Sequence, residues 1–276
     1  MKPIISIGIP VFNGERFLST VIDSLLQQTY TNIEILISDN CSNDSTKFIC
    51  EKYQILDKRI KYYVQDENIG MFPNFNFVFE KASGEYFMWA AADDKWDKQF
   101  IEQAVDVLEN NPECVSVLSH FEIFDIASGV IIEKITPSSI ASNIPSLRIT
   151  RVLEELHPNL IYGLHRKSSI VDNKFETIDW SDVLFVSRLV SKGKYYIIPK
   201  VLYRIGINGS KRIPYSITGK WLNLFKFYFE YLKLLKAFSP NIFSFIKNCL
   251  VTLKITVTSF IKVNQDIYVN NLNNVK

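Results

Sequence analysis

Short apolar runs alternate with amphipathic segments along the first third of the chain. The runs are apolar on both faces, as is typical of strands buried in a parallel sheet, and they cover residues 4–10, 33–37, 60–64 and 86–91. Between them apolar residues recur at helical spacing, which predicts helices over residues 17–25, 45–53 and 73–81. This β-α-β-α-β-α-β order with short links predicts an α/β fold built on a doubly wound, mostly parallel sheet.

The pattern is less regular after the fourth predicted strand. Further strands are predicted over residues 115–124 and 195–198, and further helices over residues 98–110 and 182–192. Residues 127–150 contain turn-forming residues and a short apolar run over residues 130–135. Residues 138–146 are rich in serine, isoleucine and asparagine and predict a mobile loop, and residues 204–214 predict a basic loop that contains glycine.

Residues suited to binding a ligand follow three of the four predicted parallel strands. They are Pro10 to Asn13 after the first strand, Asp39-Asn40 after the second and Asp93-Asp94 after the fourth. The carboxyl ends of parallel strands meet in one crevice, where ligands of open α/β sheets bind. Two adjacent carboxylates repel each other, so a hard cation such as Mg²⁺ or Mn²⁺ would stabilise them and could bridge to ligand phosphates. The alternative is an acidic turn that caps the helix predicted over residues 98–110.

Several classes of protein are disfavoured by what the sequence lacks. Neither GxGxxG nor GxxxxGK[ST] follows the first strand, which argues against dinucleotide-binding proteins and P-loop NTPases. The four cysteines show no CxxC spacing and are interpreted as reduced cytosolic thiols, and the three histidines lack zinc-site spacing. Met1-Lys2-Pro3 leads directly into a predicted strand, so no signal peptide is expected.

Six motifs in order resemble the family-2 glycosyltransferases, which have the GT-A nucleotide-diphospho-sugar transferase fold. The motifs cover residues 7–14, 37–46, 68–70, 91–94, 181–189 and 203–210, within a similarity that extends over roughly residues 3–212. The resemblance implies an inverting transferase that moves a sugar from a nucleotide-diphosphate sugar, expected to be a UDP-sugar, to a hydroxyl of a growing glycan or glycolipid. The acceptor class implies O-antigen or capsule synthesis at the inner face of the cell membrane.

The same resemblance implies roles for individual residues. Asp182 would be the general base, while Asp93 and Asp94 would hold Mn²⁺ or Mg²⁺. Asp39 would hydrogen-bond the nucleobase and Phe12 would pack on it. The full set implied for donor binding is Pro10, Val11, Phe12, Asn13, Glu15, Asp39, Asn68, Gly70, Ala92, Asp93 and Arg204.

The sequence departs from the family pattern in ways that leave alternatives open. Ala91 replaces an aspartate that often precedes the metal ligand, and Ser181 replaces the glutamate of a usual Glu-Asp pair. These changes keep a non-catalytic nucleotide-sugar or glycan-binding module under consideration, beside a nucleotidyltransferase. Asp179 is a rival base three residues before Asp182.

Three of the implied roles also have structural alternatives. Asp182 could act only as a helix N-cap and Asp39 only as a turn acceptor, while Phe12 could be an ordinary core residue.

The C-terminal part differs in charge from the rest of the chain. Residues 211–276 carry ten Lys/Arg and two acids, whereas the other residues carry 21 basic and 27 acidic ones. We expect a glycosyltransferase domain over residues 1–212 and a basic, apolar helical segment over residues 213–276. In residues 220–238 a polar stripe faces a wide apolar arc, which predicts peripheral binding to an anionic membrane surface. The alternatives are packing on the catalytic domain and a homodimer contact; no nucleic-acid partner is expected.

Overall fold

The computed structural model describes residues 3–155, 158–178, 180–207, 221–239, 241 and 244–249. Its strands are β1 (Ile5–Val11), β2 (Ile33–Asp39), β3 (Ile60–Val64), β4 (Tyr86–Trp89), β5 (Lys95–Trp96), β6 (Cys114–Asp125), β7 (Ile131–Ile135), β8 (Leu164–Arg166) and β9 (Lys194–Ile207). Its α-helices are α1 (Leu18–Leu26), α2 (Thr46–Leu56), α3 (Met71–Glu80), α4 (Phe100–Asn110), α5 (Pro145–Glu155), α6 (Lys167–Ile170), α7 (Ser181–Lys192) and α8 (Trp221–Phe238). A 3₁₀ helix covers Pro158–Tyr162, and residues 244–249 are helical.

The strands form one sheet in the order β3-β2-β1-β4-β8-β6-β9-β5, with β7 paired to β6. Strands β3, β2, β1 and β4 are parallel, as the alternation of strands and helices predicts. The second half is mixed, because β8 is antiparallel to both β4 and β6 while β6 and β9 run parallel. Every residue of β2 and β4 is buried, which explains why β4 is a continuous apolar run and why β2 is apolar apart from Glu34, Ser38 and Asp39.

The carboxylate of Glu34 joins the parallel strands near the end of the sheet at which they begin. Glu34 belongs to β2 and is 7% exposed. It accepts hydrogen bonds from the Ser6 hydroxyl (2.5 Å) and from the backbone N–H and hydroxyl of Ser83 (both 2.7 Å), and it pairs with Lys61 at 2.7 Å. Burial alone would raise the pKa of Glu34, but the bonds from Lys61, Ser6 and Ser83 outweigh it and lower the pKa to about 2. The carboxylate therefore joins β1, β2, β3 and the turn before β4.

Two segments differ from the sequence-based prediction. Strand β9 continues past residue 198 to Ile207. Its register with β6 is irregular around Pro199, because proline has no backbone N–H to donate to the hydrogen-bond ladder between the two strands. The strand nevertheless continues beyond the proline. The mobile loop predicted over residues 138–146 is instead held against β9. Ile140 is buried and exchanges two backbone hydrogen bonds with Tyr195 (2.8 and 3.0 Å), and Pro145 begins α5.

Helix α8 packs on the rest of the chain along one side. Phe227, Tyr231 and Leu235 recur every four residues and are fully buried, which places them on one helix face. The Tyr231 hydroxyl donates to the Ile149 carbonyl of α5 at 2.6 Å, and the ring of Phe227 lies 5.3 Å from that of Trp180. The apolar arc predicted to face a membrane is thus partly buried against the protein itself.

The remaining face of α8 is open to solvent at Lys226, Phe229 and Lys233. No helix within the described ranges has the length and apolar character needed to cross a bilayer. The prediction for the rest of residues 213–276 falls largely outside the described residues.

Candidate active site

The carboxyl ends of β1, β2 and β4 lie at the same edge of the sheet, where a cleft of about 270 Å³ opens. The cleft is lined by Pro10, Val11, Phe12, Asn40, Asn68, Met71, Asn74 and Phe75. Four of these residues were predicted to bind a donor. The ring of Phe12 is 49% exposed, so it is not a core residue and is available to pack on a planar ligand.

Asp39 ends β2 and is buried beside this cleft. One of its oxygens accepts the Ser42 N–H at 2.9 Å, which is the turn-capping contact that the sequence allowed as an alternative. The other accepts the Tyr62 hydroxyl at 2.9 Å. Burial and the bond to Asp39 raise the pKa of Tyr62 far above its ordinary value, so the phenol stays a donor. Each carboxylate oxygen has a second lone pair, so these bonds orient Asp39 without exhausting it.

Asn13 and Glu15 join the β1–α1 loop to the β2–α2 loop. The Asn13 side chain accepts the Asn43 N–H at 3.0 Å, and the Glu15 carboxylate accepts the Ser45 N–H at 3.0 Å. Asn13 also has φ of 53°, a left-handed conformation that asparagine tolerates better than most residues. Both predicted donor-binding residues therefore have a loop-holding function in the structure.

Asn40, which follows Asp39 at the end of the second strand, joins the end of β2 to the loop before α3. Its amide donates to the Asn68 side chain at 2.9 Å and accepts the Ile69 N–H at 2.9 Å. Gly70 follows with φ of 89°, a conformation that favours glycine at the start of α3. Asn68 and Gly70 are thus placed at the cleft by Asn40.

The acidic pair lies in a tight turn between β4 and β5. Asp94 is 3% exposed, and its two oxygens accept the Tyr203 hydroxyl and the Gly206 N–H, the latter at 3.2 Å. Burial, together with the charge of Asp93, raises the pKa of Asp94 well above its usual value, and burial raises the pKa of Asp93. A cation beside them would offset this cost.

The acidic turn suits a metal ion whose remaining coordination positions are filled by a bound phosphate ligand and by water. No cluster of three or more His, Cys, Asp or Glu side chains suited to a metal occurs in the part of the chain that the structure describes. Mg²⁺ is commonly bound through one or two carboxylates and completed by substrate phosphates and water. Asp93 is partly exposed whereas Asp94 is buried, so Asp93 is the better placed of the two to contact a cation.

Asp182 lies in the first turn of α7 and is 4% exposed. The N-cap of this helix is Trp180, so Asp182 is not the cap, although an acid in the first turn still interacts favourably with the helix dipole. One turn further on, the Phe185 ring packs edge-on against Trp89, the last residue of β4, with centroids 5.2 Å apart. This contact brings the first turn of α7 towards the strand end that carries the acidic pair. The rival base Asp179 lies outside the described residues.

Other predicted residues are less closely connected with the cleft. Arg204 lies in β9, is paired with Glu122 at 3.0 Å and lines a separate cleft of about 260 Å³ with Lys95 and Trp96. Ala92 is part of the acidic turn and is half-buried.

His165 has a structural role. It is buried between the Ser116 hydroxyl (2.7 Å) and the Ile161 carbonyl (2.8 Å), and burial lowers its pKa to about 4.

Comparison with known proteins identifies a matching sequence family and several similar proteins. The sequence profile of glycosyl transferase family 2 matches residues 6–155. A Bacillus subtilis protein named for teichuronic acid biosynthesis, TuaG, is 32% identical over 107 residues, which are 39% of this chain and 42% of TuaG. The Rickettsia typhi glycosyltransferase RT0329 is 36% identical over 125 residues, 45% of this chain and 38% of that one. The matched region thus spans about two fifths of the length of these relatives.

Two solved structures have the same fold at low sequence identity. S. aureus TarS 1–349 in complex with UDP-GlcNAc superposes with a TM-score of 0.71 and 18% identity, covering 94% of this chain and 73% of that one. The mannosyltransferase PcManGT from Pyrobaculum calidifontis, in complex with GDP-Man and Mn²⁺, gives a TM-score of 0.59 at 12% identity and covers 100% of this chain and 81% of that one. These likenesses establish the architecture of the sheet and its helices.

Proposed function

This chain belongs to glycosyl transferase family 2, and from that membership we propose that it transfers a sugar from a nucleotide-diphosphate sugar to a hydroxyl of a growing glycan or glycolipid. Its fold is the GT-A fold that the sequence predicted. We expect a UDP-sugar as the donor and inversion at the anomeric carbon as the outcome.

The observation that carries this proposal is the grouping of three strand ends at one edge of the sheet. Phe12 offers an exposed aromatic face, Asp39 offers an oriented carboxylate, and Asp93 lies in the turn after the neighbouring strand β4. An aromatic face and a carboxylate acceptor suit a nucleobase, whereas the acidic turn suits a diphosphate bridged by a cation. The order of these groups across the sheet therefore matches the order of groups in a nucleoside diphosphate sugar.

In the proposed mechanism the donor lies across this edge of the sheet. Asp39 would accept a hydrogen bond from the base while Phe12 packs on its plane. The carboxylate of Asp93 would hold Mn²⁺ or Mg²⁺, which supplies charge neutralisation for the departing diphosphate. The cleft lacks a glycine-rich phosphate loop, so the acidic turn is the feature best suited to the diphosphate.

Asp182 is proposed as the general base. It would take the proton of the acceptor hydroxyl as that oxygen bonds to the anomeric carbon and the bond from that carbon to the diphosphate oxygen breaks. Its burial in the first turn of α7, and the packing of that helix against the end of β4, support this role.

The donor and acceptor classes are suggested by the comparisons. TarS is seen in complex with UDP-GlcNAc and PcManGT in complex with GDP-Man, and TuaG is named for teichuronic acid biosynthesis. For this chain we propose a UDP-sugar, a polysaccharide or lipid-linked acceptor, and peripheral attachment at the inner face of the membrane.

The test is release of nucleoside diphosphate from a panel of UDP-, GDP- and dTDP-sugars, with Mn²⁺ or with EDTA and with glycan or lipid-linked acceptors. We expect release from a UDP-sugar that is lost in EDTA and in Asp93→Ala, whereas Asp106→Ala on the exposed face of α4 remains active. Release of pyrophosphate from a nucleoside triphosphate would favour a nucleotidyltransferase. Tight UDP-sugar binding without turnover under any condition would favour a binding module.

A further inference from the structure

The turn that carries Asp93 and Asp94 is fixed to β9 by strand pairing, a stacked pair of rings and two hydrogen bonds. β5 pairs antiparallel with β9, so that Trp96 lies opposite Tyr203, and their rings stack with centroids 4.1 Å apart. Within the same few residues, the Tyr203 hydroxyl and the Gly206 N–H donate to the two oxygens of Asp94. Tyr203 and Asp94 are both buried, so no water competes for these bonds.

Gly206 adds a steric constraint at the same place. A Cβ built on Gly206 would clash with the backbone oxygen of Asp93, which shows that the β9 backbone lies directly against the turn. The turn is therefore held through the side chain of Asp94 and through close backbone contact at Asp93. Together, these contacts fix the backbone of the turn from which the Asp93 carboxylate projects.

We propose that Tyr203 is a positioning residue for the metal–diphosphate site and that Asp94 acts as its relay rather than as a metal ligand. Tyr203 orients Asp94, and Asp94 sets the turn that presents the Asp93 carboxylate to a divalent cation. This inference rests on the proposed function, because the cation is the one that accompanies the donor diphosphate. The family profile ends at residue 155 and does not reach Tyr203. The sequence motif over residues 203–210 implied donor binding only for Arg204, so the positioning role of Tyr203 is new.

The direct test is Tyr203→Phe, which keeps the ring stacked on Trp96 and removes only the hydroxyl. The Mn²⁺ affinity of the UDP-bound protein, followed by the electron paramagnetic resonance signal of free Mn²⁺, should fall about tenfold, as expected for losing one hydrogen bond to a carboxylate. UDP affinity in EDTA should not change, since the base-binding side of the cleft is untouched.

Tyr195→Phe is the matched control. Tyr195 lies on the same strand, is equally buried, and donates its hydroxyl to the Leu160 carbonyl at 2.6 Å. Removing the Tyr195 hydroxyl should lower the melting temperature about as much as Tyr203→Phe does. The Mn²⁺ affinity of Tyr195→Phe should equal that of the unchanged protein. If both variants melt earlier and neither binds Mn²⁺ more weakly, Tyr203 is only structural and the proposal is overturned.

Two further variants separate the relay from direct ligation by Asp94. Asp94→Ala should weaken Mn²⁺ binding at least about tenfold. Asp94→Asn should recover most of that loss, because its amide can accept the Gly206 N–H and donate to the Tyr203 oxygen. Equal losses in the two variants would show that Asp94 ligates the metal and would refute the relay. Gly206→Ala should weaken Mn²⁺ binding through displacement of Asp93.

The two proposals fail in different ways. If the unchanged protein takes up no Mn²⁺ in the presence of UDP, the metal-assisted part of the proposed function fails and this inference fails with it. If it takes up Mn²⁺ and Tyr203→Phe does so equally well, only the inference about Tyr203 is wrong.

Discussion

Replacing Glu34 by Gln should destabilise the fold and should do so in a pH-dependent way. The carboxylate accepts three hydrogen bonds from Ser6 and Ser83 and pairs with Lys61. A glutamine has one oxygen to offer to these donors, and its NH₂ group would face either a serine donor or the Lys61 ammonium. All three serine bonds fall on Oε1, whereas Lys61 pairs with Oε2. A glutamine that keeps the serine bonds therefore sets its NH₂ group against the Lys61 ammonium and loses the negative charge that these donors stabilise.

The size of the effect follows from the pKa of Glu34, which is lowered from 4.5 to about 2. At about 1.4 kcal/mol for each pKa unit, this corresponds to about 3 kcal/mol of stability at neutral pH. Lys61 is about half exposed (49%), so solvent weakens its share, and we expect about 2 kcal/mol. Because the pKa is lower in the folded protein, this stability is fully present above pH 4.5 and is lost as the pH falls towards 2.

Urea unfolding of the unchanged protein and Glu34→Gln at pH 7 and pH 3, followed by circular dichroism, measures the effect. The difference in unfolding free energy should be about 2 kcal/mol at pH 7 and clearly smaller at pH 3. Glu51→Gln is the control, since the Glu51–Lys47 pair is exposed and 3.9 Å long and should contribute less than about 0.5 kcal/mol. A pH-independent difference, or one no larger than the Glu51 control, would refute the reasoning.

Three more predictions concern the proposed site and the C-terminal segment. Asp182→Asn should lower turnover by about 10²–10⁴-fold with donor affinity little changed, and a larger effect of Asp179→Asn in single-turnover assays would assign the base to Asp179 instead. Phe12→Ala should raise the KM for the donor by about tenfold with a smaller change in kcat, as for loss of base stacking, and an unchanged KM would exclude Phe12 from the base site. The full chain should float with anionic vesicles and dissociate in high salt, whereas a protein that ignores such vesicles would favour packing of α8 as its only role.

The parallel half of the sheet could be predicted from the sequence because its signal is local. The runs at β1, β2 and β4 are apolar on both faces, and burial of both faces requires that pattern wherever the strands lie in the chain. The grouping of Phe12, Asp39 and Asp93 at one edge follows in turn, since parallel strands place their carboxyl ends together. Helices α1 to α4 and α7 could be predicted from local periodicity in the same way, whereas α5 and α6 were not predicted.

The family could also be assigned from local sequence patterns. The six motifs are short segments whose residue types and order can be read without knowing what they contact, and the family profile confirms the assignment over residues 6–155. What these motifs did not reveal is which residue of an acidic pair is held by the protein and which is left for a ligand. That distinction depends on partners outside the motif.

The identity of those contact partners could be determined only from the tertiary structure. Asp94 meets Tyr203 and Gly206 across separations of 109 and 112 residues, and Arg204 meets Glu122 across 82. Likewise, only the packing of Phe227 and Tyr231 showed that one side of α8 is buried by the protein. Hydrophobic periodicity specifies which face of an element is buried, but the neighbour that buries it is chosen by strand order and register. Those are properties of the whole sheet, so the long-range contacts that orient the acidic turn became visible only in the folded chain.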